Sequence, residues 1–125
     1  MHVADDGRVA AVTLDDVADA AARVLRTPAP HTGMTYDLTG PQAFTLAEIA
    51  ALIGAGAGRD ITYRAETVQE AYASRAGFGA PDWQVEAWVS TYTAIAAGEL
   101  SGVTDAIPRL TGRPATSVAE LLGTT

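Results

Sequence analysis

Three aromatic side chains have the type and spacing best suited to holding a small molecule. Trp88 and Tyr92 stand four positions apart in the longest helical pattern of the chain, and Trp83 lies just upstream. Flat aromatic walls bury much apolar area and a tyrosine adds a hydrogen-bonding tip. Trp83, Trp88 and Tyr92 are therefore the candidates for lining a pocket for an aromatic or quinone-like substrate. Ordinary core packing explains the same spacing, because any amphipathic helix repeats its apolar residues in this way.

Other chemistry is weakly supplied. Arginine is abundant enough to make eight basic side chains, but there is no lysine. That excludes a Schiff-base lysine, a Walker-type phosphate lysine and a Tyr-x-x-x-Lys proton-transfer pair, so Tyr36, Tyr63 and Tyr72 have no such partner. With no cysteine there is no thiol nucleophile, disulfide or zinc-thiolate site. His2 and His31 lack a neighbouring Asp/Glu/His set at metal spacing, so no metal site and no catalytic residue is assigned. Asp15 and Asp16 are adjacent carboxylates, but their place in a first helical turn suits capping and the helix dipole. The run Gly54-Ala55-Gly56-Ala57-Gly58 lacks G-x-G-x-x-G spacing and follows a helix, so it reads as a helix end and no cofactor-binding residue is assigned. No Gly-x-Ser-x-Gly elbow, His-Glu-x-x-His motif or EF-hand loop occurs.

The elements that must position the aromatic residues follow from periodicity. Arg8 to Thr13 reads as a short strand and Leu14 to Arg26 as a helix, with Leu14, Val17, Ala18, Ala21, Val24 and Leu25 on its apolar face. Two prolines and a glycine end it, and Met34 to Leu38 reads as a second strand. Thr45-x-x-Glu48 and Thr67-x-x-Glu70 have capping-box spacing and open helices, with a weak third strand between them at Asp60 to Tyr63. A long helix spans Asp82 to about Ala97, and two short ones close the chain near 105–110 and 117–122. The pattern predicts an α/β fold, a partial Rossmann-like unit with two or three short, mainly parallel strands and a helical extension. The expected division is 1–66 for the strand-helix elements and 67–125 for a helical substrate-side part, packed as one unit. Two or three strands make a poor parallel sheet unless neighbours extend and cover it.

Composition bounds the class. The 125 residues make one domain, 48% of them apolar, with a formal charge of −7. That sign is wrong for nonspecific nucleic-acid binding. No apolar run reaches the length of a membrane span and no signal-peptide pattern opens the chain, so a cytoplasmic location is expected.

Three stretches carry a family resemblance. Gly7 to Ala21 resembles the late strand and Asp-Val-Ala helix of extended and atypical short-chain dehydrogenases. Tyr36 to Pro41 followed by Phe44 to Ala50 resembles the next strand, turn and helix, and Leu110 to Leu122 resembles the chain end of NmrA-like, quinone-oxidoreductase-like relatives. The resemblance implies the C-terminal, substrate-side portion of an NAD(P)-dependent oxidoreductase or redox-sensing nucleotide binder, with NAD or NADP as cofactor of the full-length family. The Gly-rich turn that cradles a pyrophosphate is absent from this sequence. The expectation is a fragment that binds no dinucleotide and is inactive alone, its partner a small-molecule substrate. The alternative is a stand-alone, non-catalytic ligand-binding or dimerisation module, an open strand edge favouring a homodimer or strand-exchanged oligomer.

Overall fold

In the computed structural model of the chain, which describes residues 2–123, four helices begin where a Ser or Thr hydroxyl accepts the backbone N–H three residues on. Thr13 opens α1 (Leu14–Arg26), Thr45 opens α2 (Leu46–Ala57), Thr67 opens α3 (Val68–Arg75) and Ser117 opens α6 (Val118–Leu121). At Thr45 and Thr67 the reciprocal bond is also made, Glu48 and Glu70 accepting the cap N–H at 3.0 and 2.8 Å. These satisfy backbone donors that a helix start leaves without partners. The remaining helices are α4 (Asp82–Ala96), entered through Pro81, and α5 (Ala106–Thr111). No described helix is long and apolar enough to cross a membrane.

The fold is α/β, mostly helical, with one two-stranded sheet. The expected parallel direction is corrected: β1 (Arg8–Val9) and β2 (Phe44–Thr45) pair antiparallel, Arg8 opposite Thr45 and Val9 opposite Phe44. Met34 to Leu38 and Asp60 to Tyr63 form no ladder. The reason lies in the turn at Thr39-Gly40-Pro41. The Gly40 N–H donates to the carbonyl of Ala10, the residue after β1, at 3.2 Å, and the chain then runs back alongside β1 to pair at Phe44. A Cβ on Gly40 would lie 2.0 Å from the Ala11 carbonyl oxygen, so only glycine permits this crossing. Gly7 is similarly confined, 2.0 Å from the Ile95 carbonyl oxygen at the end of α4.

The core is made of small side chains in two clusters. Val3, Ala71, Val85 and Val89 join α3 and α4, flanked by Val68, Ala80 and Tyr92. Ala20, Ile107 and Ala115 join α1 and α5, flanked by Val12, Leu38 and Leu110. The α1 face differs from the sequence expectation. Its fully buried residues are Asp16 and Ala20, whereas Leu14, Ala18, Ala21 and Leu25 point to solvent, Leu14 at 85% and Leu25 at 78% exposure. These four recur at helical spacing and form one continuous apolar stripe that nothing in the described residues covers.

Asp16 is completely buried, and its carboxylate accepts the Thr116 N–H at 2.7 Å, the Thr116 hydroxyl at 3.1 Å and the Arg113 guanidinium at 2.8 Å. Arg113 also pairs with Asp19 one turn on. Burial alone would raise the Asp16 pKa, but the Thr116 amide, the Arg113 guanidinium and the Thr116 hydroxyl together hold it below the usual aspartate value. Its role is thus a long-range tie between α1 and the tail, beyond the local capping read from the sequence.

Two outcomes follow in urea denaturation. Gly7→Ala and Gly40→Ala each lose about 2–3 kcal/mol, because the added methyl meets backbone, while Gly77→Ala, whose Cβ meets nothing within 4 Å, stays within about 0.5 kcal/mol of the parent. Asp16→Asn loses about 2 kcal/mol at neutral pH. A carboxyl whose folded pKa is depressed stabilises fully above its unfolded value and less as pH falls through the folded one. The gap between parent and variant therefore narrows below about pH 4. A gap that is constant from pH 7 to pH 2 would contradict this account.

Candidate functional site

The Thr67 capping box fixes where α3 starts, and the single turn Ala76–Phe78 followed by Gly79 and Pro81 fixes where α4 begins. The two helices pack together at this corner. Residues 88 and 92 of α4, one turn apart, face the end of α3. Arg75, Phe78, Trp88, Thr91 and Tyr92 line an open hollow of about 540 Å³. Phe78 meets Trp88 edge-on, with ring centroids 6.2 Å apart and planes at 84°, the arrangement favoured by the aromatic quadrupole.

Arg75 is the polar centre of the corner. Its guanidinium lies 5.2 Å above the Tyr92 ring, and Nη1 donates to the Ala71 carbonyl at 2.8 Å, to Ser74 Oγ at 3.1 Å and to Glu66 at 3.3 Å. The side chain is 17% exposed, so it is oriented by packing as well as by these bonds. Nη2 and Nε donate to none of the described residues, which leaves N–H groups available to an acceptor in the hollow.

Arg75 and Tyr92 also wall a second hollow of about 360 Å³, lined on its far side by Leu46, Ile49 and Ile53 of α2 and by Tyr63. The Tyr63 hydroxyl donates to the Val3 carbonyl at 2.8 Å. Burial, with the nearby negative charges of Glu66 and Asp5, pushes its pKa up. The phenol is thus tied to the backbone of the N-terminal segment.

Of the three aromatic residues read from the sequence, Trp88 and Tyr92 come together in the first hollow. Trp83 does not line it. It stands five positions before Trp88, about 140° round the helix, and is 69% exposed. Arg75 and Phe78 are additions that spacing did not reveal. Phe78 sits between two glycines in a stretch that reads only as a helix breaker, and an arginine in a last helical turn ordinarily serves the helix dipole. The only available signal was an exposed aromatic residue in a turn.

The glycine run 54–58 forms the last turn of α2 with Gly58 as its C-cap. A helix end presents backbone carbonyls, so this glycine run offers no backbone N–H cradle of the kind that a Gly-rich turn makes for a pyrophosphate at a helix start. What the first hollow offers is a flat apolar wall with directed N–H donors. It suits a planar conjugated molecule that bears an acceptor atom.

No family model matches the chain. It is 37% identical over 115 residues to the NAD(P)H azoreductase of Xenophilus azovorans, covering 92% of this chain and 40% of that protein. The structure of the Escherichia coli NADPH-dependent quinone oxidoreductase complexed with NADPH superposes with a TM-score of 0.87 at 31% identity, over 97% of this chain and 42% of that one. The triphenylmethane reductase of Citrobacter sp. complexed with NADP(H) gives 0.84 at 29% identity, over 97% and 42%. The chain spans about two fifths of the length of the curated relatives it matches. It is thus homologous to the C-terminal portion of the NmrA-like, atypical short-chain dehydrogenase/reductase group of NAD(P)-binding reductases.

Proposed function

We propose that the chain is the substrate-side part of an NAD(P)H-dependent reductase of planar conjugated acceptors such as quinones, azo compounds or dyes. Its dinucleotide-binding part would be supplied outside these 125 residues. The observation that carries this reading is the hollow itself, an aromatic wall of Phe78, Trp88 and Tyr92 beside the free donors of Arg75. The relatives are named for the reduction of azo compounds, quinones and triphenylmethane dyes, all conjugated aromatic molecules, which supports an acceptor of that chemistry for this hollow.

The reduced dinucleotide, when bound, supplies a hydride. Phe78 and Trp88 hold the acceptor's ring flat and exclude water from its face. As the acceptor gains electrons, negative charge builds on its oxygen or nitrogen, and the Arg75 N–H groups stabilise that charge where it develops. The Glu66 carboxylate and the Tyr92 ring keep Arg75 aimed.

Within this scheme residues 1–66 supply the elements that abut the dinucleotide-binding sheet, and 67–125 supply the substrate side. The uncovered stripe Leu14, Ala18, Ala21 and Leu25, with Met34 at 55% exposure, supports it, since such a face is stable only when packed. The same stripe favours a second reading, a stand-alone module that buries it against another copy. In either case the isolated chain is read as catalytically inert and as binding neither NAD nor NADP.

Titration distinguishes these readings. Calorimetry with NADPH and NADH of a variant carrying Arg23→Gln and Arg109→Gln, which removes the basic hollow at the end of α1, is expected to show no saturable binding, and binding at micromolar affinity would overturn the division of labour. A soluble naphthoquinone is expected to quench tryptophan emission in Trp83→Phe, where Trp88 reports, and not in Trp88→Phe. Arg75→Met is expected to weaken that binding about tenfold. Sedimentation showing a concentration-dependent dimer that Leu14→Glu abolishes would favour the second reading.

A further inference from the structure

We propose that the hollow beside the C-terminal end of α1 binds a phosphate-bearing anion, in the form of a phosphomonoester or diphosphate group. Its volume is about 330 Å³, and it is lined by Arg23, Arg26, Thr27, His31, Arg109 and Leu110. It shares no lining residue with the two hollows around Arg75 and Tyr92.

The charge distribution is the first argument. In a chain of net charge −7 with eight basic side chains, three arginines converge on this one hollow and no carboxylate lines it. Arg23 and Arg26 come from the last turn of α1, and Arg109 comes from α5, which packs against α1. Among the described residues Arg23 and Arg26 make no ion pair. Arg109 meets only Asp105, at 3.8 Å, with both side chains more than two-thirds exposed. Basic residues at a helix C-terminus suit its dipole, which accounts for Arg23 and Arg26 but not for an arginine delivered from a different helix. The helix pole and Asp105 offset part of the mutual repulsion of the three guanidinium groups, and a multivalent anion between them would remove the rest.

The second argument is preorganisation. His31 Nδ1 is hydrogen-bonded to the Tyr36 hydroxyl at 2.7 Å, and the two rings meet edge-on at 5.7 Å. The imidazole is therefore held in place, with Nε2 the ring nitrogen left for a ligand. The Thr27 hydroxyl donates to the Arg23 carbonyl at 3.4 Å and fixes the helix end. Guanidinium forks match phosphate oxygens bidentately, and the mixed set of three forks and one imidazole fits a tetrahedral oxyanion better than a planar carboxylate.

The test is calorimetric titration of the chain with pyrophosphate and with inorganic phosphate at low ionic strength, against sodium chloride of matched ionic strength. Saturable 1:1 binding of pyrophosphate is expected, with phosphate weaker. Arg23→Gln and Arg109→Gln should each weaken it about tenfold while leaving the unfolding midpoint without anion unchanged. Arg59→Gln removes an exposed arginine elsewhere and should leave binding intact. The proposal fails if chloride reproduces the heats, or if Arg59→Gln weakens binding as much as Arg109→Gln does. As a second readout, pyrophosphate should raise the unfolding temperature of the parent and not that of the Arg23→Gln, Arg109→Gln double variant.

Discussion

A single buried carboxylate joins the two ends of this chain. Asp16 lies in the first turn of α1 and reaches Thr116 and Arg113 a hundred residues on, with no exposed surface of its own. A buried charge is tolerable only when fully bonded, and here an amide, a hydroxyl and a guanidinium all point at it. The buried Thr111 hydroxyl donates to the Ile107 carbonyl at 2.7 Å and sits at the turn that swings Arg113 back toward α1. The Ala20, Ile107 and Ala115 cluster closes beneath this tie, and just before α5 the Thr104 amide donates to Thr39 Oγ1 while its hydroxyl donates to the Asp37 carbonyl. Polar ties of this kind supplement the small apolar contacts in placing the tail.

The α3–α4 corner follows the same logic with the opposite purpose. Its core of Val3, Ala71, Val85 and Val89 is dry and small, which leaves the larger rings of Phe78, Trp88 and Tyr92 on the rim. Arg75 is held there by Glu66, by two groups of its own helix and by the Tyr92 ring, while part of its guanidinium remains unbonded. The orienting contacts all use Nη1, which leaves Nη2 and Nε without a partner among the described residues.

The stripe on α1 shows the reverse case, a strongly periodic apolar face with no cover. Leu14, Ala18, Ala21 and Leu25 align at helical spacing, and the buried side of the helix is the one bearing Asp16. With homologues more than twice as long, a face of this kind agrees with the proposal of a neighbour that lies outside the 125 residues.

Local chemistry was legible in the amino-acid order. Thr13, Thr45, Thr67 and Ser117 announced helix starts through hydroxyl and carboxylate spacing, since a cap needs only four consecutive residues. The i, i+4 pair Trp88 and Tyr92 was legible for the same reason, as was the family through three ordered stretches. Tertiary structure alone decided the rest. Strand direction turned on a close backbone approach at Gly40, and the buried face of α1 turned on where Thr116 and Arg113 arrive. Arg75 and Phe78 joined Trp88 and Tyr92 because α3 and α4 meet at a corner, and Trp83 was left out by its angle about α4. Contacts between residues distant in the chain depend on the path between them, and no spacing rule within one element encodes that path.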